Sequence, residues 1–384
     1  MPVIDVRRRG AWVAGRAAIV WAPLFALYLA TLGVDAAPGE RFAPDEARFL
    51  AAADQVASGG GTDRGPQGLG FPLLLAPLHA LGGDTLCVVV LAAVAALAFV
   101  LGAALARRVV PDPWPTWAAL LAGASPVALG HATTVVPALL AGALLAGASL
   151  CALAMRERPL MRHAFGGAAM LAVLPWLDPW LLVPAAPVAV LLARWTARRG
   201  RTLIALGTAE IQLASLVFYV SLNERLYGGV TPLSALDGPA TGASTLGDYA
   251  DRVPRLALVF VDPAYGLLRW APVVVLAFVG LVLLVRSRRE RLARLVADQR
   301  DAEHAAFLAL AVCAAQVLVA AFTVPELEGA WFPGRQLVPA LPCAVALIAW
   351  GWRRLPRVGA ALAVLTVATS AWVLLAGDGW ATFS

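Results

Sequence analysis

Long apolar stretches, separated by short polar or arginine-rich segments, run through this chain. A membrane-spanning helix needs about 20 predominantly apolar residues. Nine stretches approach or exceed that length, at 17–33, 85–106, 115–131, 135–155, 203–221, 267–285, 305–323, 336–351 and 358–376. The pattern predicts membrane-spanning helices rather than the amphipathic elements of a soluble domain.

Three shorter apolar stretches complete the pattern. Those at 164–177 and 179–193 meet at Asp178, between two prolines, and predict a hairpin of short or broken helices with Asp178 at its tip. The third, at 71–81, predicts an interfacial or re-entrant segment. We therefore expect an all-α polytopic membrane protein, forming a single transmembrane domain over residues 1–384. It would have about 11 transmembrane or partly spanning helices, with short interfacial helices in the outer loops.

Composition supports the membrane class. Hydrophobic residues make up 60% of the chain and charged residues 14%, whereas a soluble domain is roughly 45–50% apolar and about one quarter charged. The four cysteines lie within apolar stretches and show no paired spacing. They predict neither a disulfide framework nor a cysteine metal site.

The basic residues predict the orientation. All 30 are arginine, and 22 of them fall on the cytoplasmic side if the N-terminus is cytoplasmic. This distribution follows the positive-inside rule. We expect an integral protein of the bacterial cytoplasmic membrane with a cytoplasmic N-terminus, a retained first span and a periplasmic or extracellular active face. Since the arginines then act as topology determinants, the net charge of +6 does not predict nucleic-acid binding.

Three predicted outer segments, at about 33–84, 223–265 and 324–336, are long enough to carry chemistry. In the first, Pro44 suits the first turn of a helix, and apolar residues at 49, 50, 53 and 56 predict an amphipathic interfacial helix. Asp45 and Glu46 lie at its N-terminal end. Either they stabilise the helix dipole, or one carboxylate faces a cavity as a general base or a ligand of a divalent cation.

Other polar residues near the outer face are also candidates. Arg335 and Arg269 lie at the mouths of predicted spans, where they would bind either the phosphate of a lipid-linked donor or lipid headgroups. Residues that could line an outer cavity are Asp178, His131, Tyr227 and Trp331. Glu210 lies inside a predicted span, where an ionisable group indicates a function by default.

Four segments together resemble a known superfamily. The sequence DEARF at 45–49 resembles the Asp-Glu-x-x-Tyr motif of the GT-C glycosyltransferases that use lipid-linked sugars, with Phe49 in place of tyrosine. The segments YGGVTP at 227–232, AYGLLRWAP at 264–272 and GAWFPGRQLVPALP at 329–342 are similar, in the same order, to segments of its family 39-like group.

The resemblance implies an inverting glycosyltransferase that moves a sugar from a polyprenyl-phosphate donor to an acceptor at the outer face. Asp45 would be the base or a metal ligand, with Glu46 assisting, and Arg335 and Arg269 would neutralise the departing phosphate. A divalent metal ion would be the cofactor, if there is one. The implied partners are the lipid-linked donor and membrane lipids. The acceptor is not identified, and a protein partner could help to hold it.

Two other functional classes stay open. A lipid or solute transporter tends to have internal repeats and paired broken helices, whereas this sequence has one broken hairpin and no evident repeat. A non-catalytic membrane scaffold or assembly subunit would tolerate the loss of Asp45 and Arg335.

Overall fold

The computed structural model of the protein describes residues 6–32, 44–59, 68–197, 202–236, 239–289, 297–325, 332 and 334–375. Within these ranges every regular element is a helix and no strand occurs. The expected all-α class is therefore confirmed.

Sixteen α-helices lie in the described ranges. They are α1 (Val6–Leu32), α2 (Pro44–Ala57), α3 (Gly70–Ala106), α4 (Trp114–Gly123), α5 (Pro126–Ala132), α6 (Ala138–Glu157), α7 (Met161–Leu177), α8 (Leu182–Ala197), α9 (Thr202–Tyr227), α10 (Leu246–Ala250), α11 (Arg255–Val261), α12 (Leu267–Trp270), α13 (Val275–Arg289), α14 (Ala297–Phe322), α15 (Leu341–Arg354) and α16 (Pro356–Leu375). Short 3-10 helices precede α8, α13 and α15, at Pro179–Leu181, Pro272–Val274 and Arg335–Ala340.

Seven helical segments among the described residues are long and apolar enough to cross a membrane. They comprise α1, α3, α6, α8 with its preceding 3-10 turn, α9, α14 and α16. This finding supports an integral membrane protein. The larger number of about eleven helices and the orientation stay predictions.

Two predicted interruptions, and one break inside the predicted span 115–131, have identifiable causes in the structure. The stretches at 71–81 and 85–106 are joined in α3, which loses helical geometry at Gly82 and at Gly83, where φ is +62°. The stretch at 115–131 is divided into α4 and α5 at Ser125, whose hydroxyl accepts a hydrogen bond from the Ala128 N–H and caps α5. The hairpin of α7 and α8 turns at Asp178.

Two prolines of the 329–342 segment pack closely against glycines of α3 and α6. A Cβ atom on Gly102 of α3 would clash with the Pro342 carbonyl oxygen. A Cβ atom on Gly142 of α6 would lie 3.0 Å from the Pro339 carbonyl oxygen. These glycines let the backbones of α3, α6 and the start of α15 approach closely, as small residues do in membrane bundles.

We expect Gly102→Ala to destabilise the bundle, because the new methyl group would meet backbone rather than a side chain that can move. Overpacking of this kind costs about 1–3 kcal/mol. Gly15→Ala in α1 is the matched control, since a Cβ there meets nothing within 4 Å. Thermal unfolding in detergent should show a lower midpoint for Gly102→Ala alone. Equal midpoints for the two variants would contradict the close packing.

The arginine ion pairs with Asp112 and Glu157 lie at one end of the bundle. Asp112 accepts from Arg16 and Arg107, each at 3.1 Å, and Arg108 pairs with Glu157 at the end of α6. The start of α6 and the ends of α7 and α14 lie at the opposite end, where the candidate site is found.

Candidate functional site

A small polar cavity of about 80 Å³ opens at the end of the bundle away from Asp112 and its arginine partners. Its walls come from the start of α6, the α7–α8 hairpin, the end of α14 and the 3-10 helix Arg335–Ala340. The polar side chains that line it belong to His131, Asp178, Trp180, Gln316, Thr323, Arg335 and Gln336. The space is sufficient for a few water molecules or one phosphate-sized group.

Asp178 supplies the carboxylate of this cavity. Its Oδ1 atom accepts a hydrogen bond from the Trp180 N–H at 2.9 Å, which fixes the turn between α7 and α8. The residue is exposed by area, yet its carboxylate lies in a concave wall with protein on most sides. Loss of hydration there raises the pKa of Asp178, while the Trp180 N–H and the positive charge of Arg335 act in the opposite direction.

Arg335 supplies the cation, and the backbone before it sets its position. Gly334 has φ +79°, a left-handed conformation that favours glycine. A Cβ atom on Gly334 would also lie 3.0 Å from a methyl group of Leu267 and 3.4 Å from Val127. The glycine therefore allows both the turn and the close packing that bring Arg335 to the cavity wall.

Gln316 is a cavity residue that sequence reasoning missed. Its Nε2 atom donates to the Gln336 carbonyl oxygen at 2.7 Å, which ties α14 to the 3-10 helix. Its Oε1 atom is buried and has no hydrogen-bond partner among the residues described. A buried acceptor of this kind could receive a hydrogen bond from a ligand hydroxyl. The sequence feature that could have identified it is a polar glutamine side chain inside the apolar stretch 305–323.

His131 forms part of the cavity wall at the end of α5. Its Nδ1 atom lies 2.8 Å from the Val127 carbonyl oxygen, so Nδ1 carries a proton and donates it. The ring packs edge-on against Phe332, with centroids 6.5 Å apart, and Phe332 packs in turn against Trp270. This aromatic row links the cavity to the segment around α12.

Helix α2 is held beside the cavity by Glu46. The buried Glu46 carboxylate accepts a hydrogen bond from the Val135 N–H at 2.8 Å, and the adjacent Val136 lines the cavity. Phe49 is also buried and packs edge-on against Phe71, with centroids 5.0 Å apart. Phe49 therefore anchors α2 in the core.

We expect Glu46→Leu to loosen α2, because the Val135 N–H would lose its acceptor in a buried position. Such a loss costs about 1–3 kcal/mol. Glu46→Gln keeps an oxygen acceptor and is the matched control. Glu46→Leu should be cleaved faster in limited proteolysis and should unfold at a lower temperature than Glu46→Gln. If Glu46→Gln is as unstable as Glu46→Leu, the charge of Glu46 is required rather than the acceptor.

The second of the three predicted outer segments covers the end of α14. Arg252 donates to the carbonyl oxygens of Phe322 and Thr241 at 2.7 and 2.6 Å. Arg255 donates to those of Val324 and Pro325 at 2.8 and 3.0 Å. The contacts with Phe322, Val324 and Pro325 satisfy carbonyl groups at or just beyond the C-terminal end of α14, where cations are also favoured electrostatically.

Two other predicted site residues, Arg269 and Tyr227, are not brought to this cavity. The exposed Arg269 donates to the Pro263 carbonyl oxygen and stacks over Trp270, with its guanidinium 5.0 Å from the ring centroid. Tyr227 is half-buried at the end of α9, outside the cavity lining. The side chain of Asp45 and all of Trp331 lie outside the described residues.

An apolar groove of about 380 Å³ lies next to the polar cavity. It is formed by α11, α13, α14, α15 and the 3-10 helix before α15. Its lining is made of Leu256, Phe260, Leu267, Val274, Ala277, Phe278, Leu281, Leu310, Cys313, Ala314, Val317, Leu318, Leu337, Ala340, Leu341, Ala344 and Leu347. Both α14 and the 3-10 helix present one set of residues to the groove and another to the cavity.

No protein-family model matches this chain, and no curated protein matches it in sequence. Among the residues described, no group of three or more histidine, cysteine, aspartate or glutamate side chains is placed to hold a metal ion.

Proposed function

We propose that this protein transfers a sugar from a polyprenyl-phosphate donor to an acceptor hydroxyl at the membrane face where the polar cavity opens. One observation carries the proposal: a cavity with a cation and a carboxylate adjoins an apolar groove along the same two helices. A lipid-linked sugar has the same division, with an apolar chain, a charged phosphate and a polar sugar.

The groove suits the lipid chain. Its volume falls within the roughly 300–1,000 Å³ of typical ligand pockets, and hydrocarbon side chains dominate its lining. In the adjacent cavity, Arg335 can engage two phosphate oxygens at once. Gln316 Oε1 is a suitable acceptor for a hydroxyl of the sugar or of the acceptor.

The reaction is a single displacement. The acceptor oxygen attacks the anomeric carbon, and the bond from that carbon to the phosphate oxygen breaks with inversion. The acceptor proton passes to a carboxylate, and the departing phosphate takes the electron pair. Arg335 stabilises the negative charge that develops on the phosphate. Asp178 is the first candidate for the base, because it shares the cavity with Arg335.

Asp45 keeps the role that the sequence resemblance predicts. It precedes Glu46, whose carboxylate binds the loop that lines the cavity. Asp45 is the expected second carboxylate, or the ligand of a divalent ion if the reaction uses one. The experiment below compares it with Asp178.

The test is sugar transfer in proteoliposomes, using a panel of radiolabelled polyprenyl-phosphate sugars and acceptors extracted from envelope material. Wild type would be compared with Asp45→Asn and Asp178→Asn, after equal insertion has been verified. Asp251→Asn is the control, because Asp251 is an exposed acid of the second outer segment outside the cavity. We expect labelled product and free polyprenyl phosphate from wild type and from the control.

Three other outcomes of these experiments would contradict the proposed sugar transfer or favour a different function. Wild type that transfers no sugar from any donor, with acceptors present, contradicts the enzyme. Movement of intact lipid-linked sugar across the vesicle, without cleavage, would instead assign a transporter. If cells need the protein for normal membranes but tolerate substitution of either aspartate, that result would favour the scaffold function.

A further inference from the structure

Several polar side chains of the cavity have an unused hydrogen-bond acceptor. Three of the lining side chains carry both a donor and an acceptor, and each donates to a backbone carbonyl oxygen of the protein itself. These side chains belong to His131, Gln316 and Thr323. What each of them still offers to a ligand is therefore an acceptor atom.

Gln316 shows this arrangement most clearly. Its Nε2 atom donates to the Gln336 carbonyl oxygen at 2.7 Å, and this contact assigns the two ends of the amide, because a carbonyl oxygen can be hydrogen-bonded only to the nitrogen end. The Oε1 atom is then the end that stays buried and without a partner among the residues described. A ligand that donates a hydrogen bond to Oε1 removes the free-energy cost of this unpaired acceptor.

His131 and Thr323 repeat the arrangement. The Nδ1 atom of His131 donates to the Val127 carbonyl oxygen at 2.8 Å. The ring is buried near the charge of Arg335, which favours its neutral form, so Nε2 is an acceptor. The Oγ1 atom of Thr323 donates to the Val319 carbonyl oxygen at 2.8 Å and keeps its lone pairs. Within the part of the chain that the structure describes, no group donates to Nε2 or to these lone pairs.

These acceptors, together with the Asp178 carboxylate, favour a ligand group that donates hydrogen bonds. The unesterified oxygens of a phosphodiester can only accept, so they suit Arg335 and not the rest of the cavity. The hydroxyl groups of a sugar donate, and in a lipid-linked sugar the ring carbon that bears the phosphate joins them to it. A volume of about 80 Å³ has room for one edge of a sugar rather than for the whole ring.

We propose that His131, Gln316 and Thr323 accept hydrogen bonds from free hydroxyl groups on one edge of the donor sugar, and that Gln316 and Thr323 thereby determine which sugars bind. The inference rests on the proposed function and adds the substrate class, a sugar whose hydroxyl groups at this edge are neither missing nor substituted. A site that hydrogen-bonds a substrate hydroxyl rejects the analogue without it, because the buried acceptor of the protein is then left unpaired.

Binding of short-chain donors tests this role without requiring sugar transfer. The probes are farnesyl phosphate esters of glucose, mannose and galactose, and the analogues of each in which a single hydroxyl group is replaced by hydrogen. Dissociation constants would be measured by calorimetry on the full chain in detergent. We expect wild type to bind at least one parent donor, and to bind one or two of its deoxy analogues about 10- to 100-fold more weakly, the factor that corresponds to one unpaired buried acceptor.

Substitutions then assign the discrimination to residues. Gln316→Met removes the acceptor at similar side-chain length, and should bind the parent donor and the rejected analogue about equally. Loss of the contact with Gln336 would instead weaken all the donors by one factor and leave their ratios unchanged. Thr323→Val is the second variant and should abolish discrimination at one hydroxyl group. Thr369→Val is its matched control, because the Thr369 hydroxyl also donates to a carbonyl oxygen four residues earlier, that of Leu365, but lies outside the cavity lining.

The outcomes separate this inference from the transfer reaction. Loss of discrimination in Gln316→Met or in Thr323→Val, with Thr369→Val unchanged, supports the hydroxyl contacts. Equal binding of parent and deoxy donors by wild type, discrimination that both variants retain, or no binding of any donor overturns them, even if sugar transfer is observed. Selective binding that the variants abolish, in a protein that transfers no sugar, would keep the hydroxyl contacts and overturn the transfer.

Discussion

Asp178→Asn is expected to reduce the rate of sugar transfer by about 10²–10⁴-fold, the usual contribution of a general base. Asparagine retains a side-chain oxygen, so it can still accept the hydrogen bond that the Trp180 N–H gives to Asp178. The substitution therefore removes the charge and leaves the turn between α7 and α8 intact. Single-turnover transfer at saturating donor, beside unchanged thermal unfolding, is the measurement.

The pH profile offers a second test of the same role. The pKa of Asp178 is raised mainly by loss of hydration in the cavity wall, and a base must be ionised to accept a proton. Transfer should therefore fall as the pH decreases, with a midpoint above about 3.9, the ordinary value for aspartic acid. A profile that Asp178→Asn leaves unchanged, together with a near wild-type rate, would exclude Asp178 as the base and direct attention to Asp45.

Arg335→Gln is expected to reduce transfer by about 10²–10³-fold, as for other groups that stabilise charge in the transition state. The loss should appear in the maximal rate more than in KM, because negative charge on the phosphate increases as the bond to the sugar breaks. Arg335→Lys should recover part of the activity, since lysine supplies a point charge without the two-oxygen geometry.

Arg269→Gln is the matched comparison for Arg335. Both arginines were predicted to bind the donor phosphate, but Arg269 contacts the Pro263 carbonyl oxygen and Trp270 rather than the cavity. We expect the Arg269 variant to lose much less activity. A larger loss for Arg269→Gln than for Arg335→Gln would place the phosphate outside the polar cavity and contradict the proposed donor position.

Individual residues show how far sequence reasoning reached within the candidate site. In the sequence, Asp178, His131 and Arg335 are separate candidates, because each is a polar residue at the end of an apolar stretch. The structure places all three around one cavity, although their proposed roles are still predictions. Gln316 was not selected, because an uncharged amide inside an apolar stretch gives a weaker signal than a charge.

For Glu210, the sequence identifies the residue but not the direction of its side chain. The sequence identified it as an ionisable residue in a span, but the direction of its side chain depends on which face of α9 packs against the bundle. Only the positions of Ile204, Thr208, Tyr219 and Asn223 against the protein decide that Glu210 points outward. The direction of the Glu210 side chain therefore required the packed structure.

The sequence by itself determined the all-α class, the apolar helices and several of their breaks, because length, hydropathy and the positions of proline and glycine are local properties of the chain. The tertiary structure alone decided which helix ends meet and which polar groups share a cavity. It also placed the apolar groove beside that cavity. These features depend on contacts between residues far apart in the chain, such as Glu46 with Val135 and Gly102 with Pro342, and no local pattern specifies them.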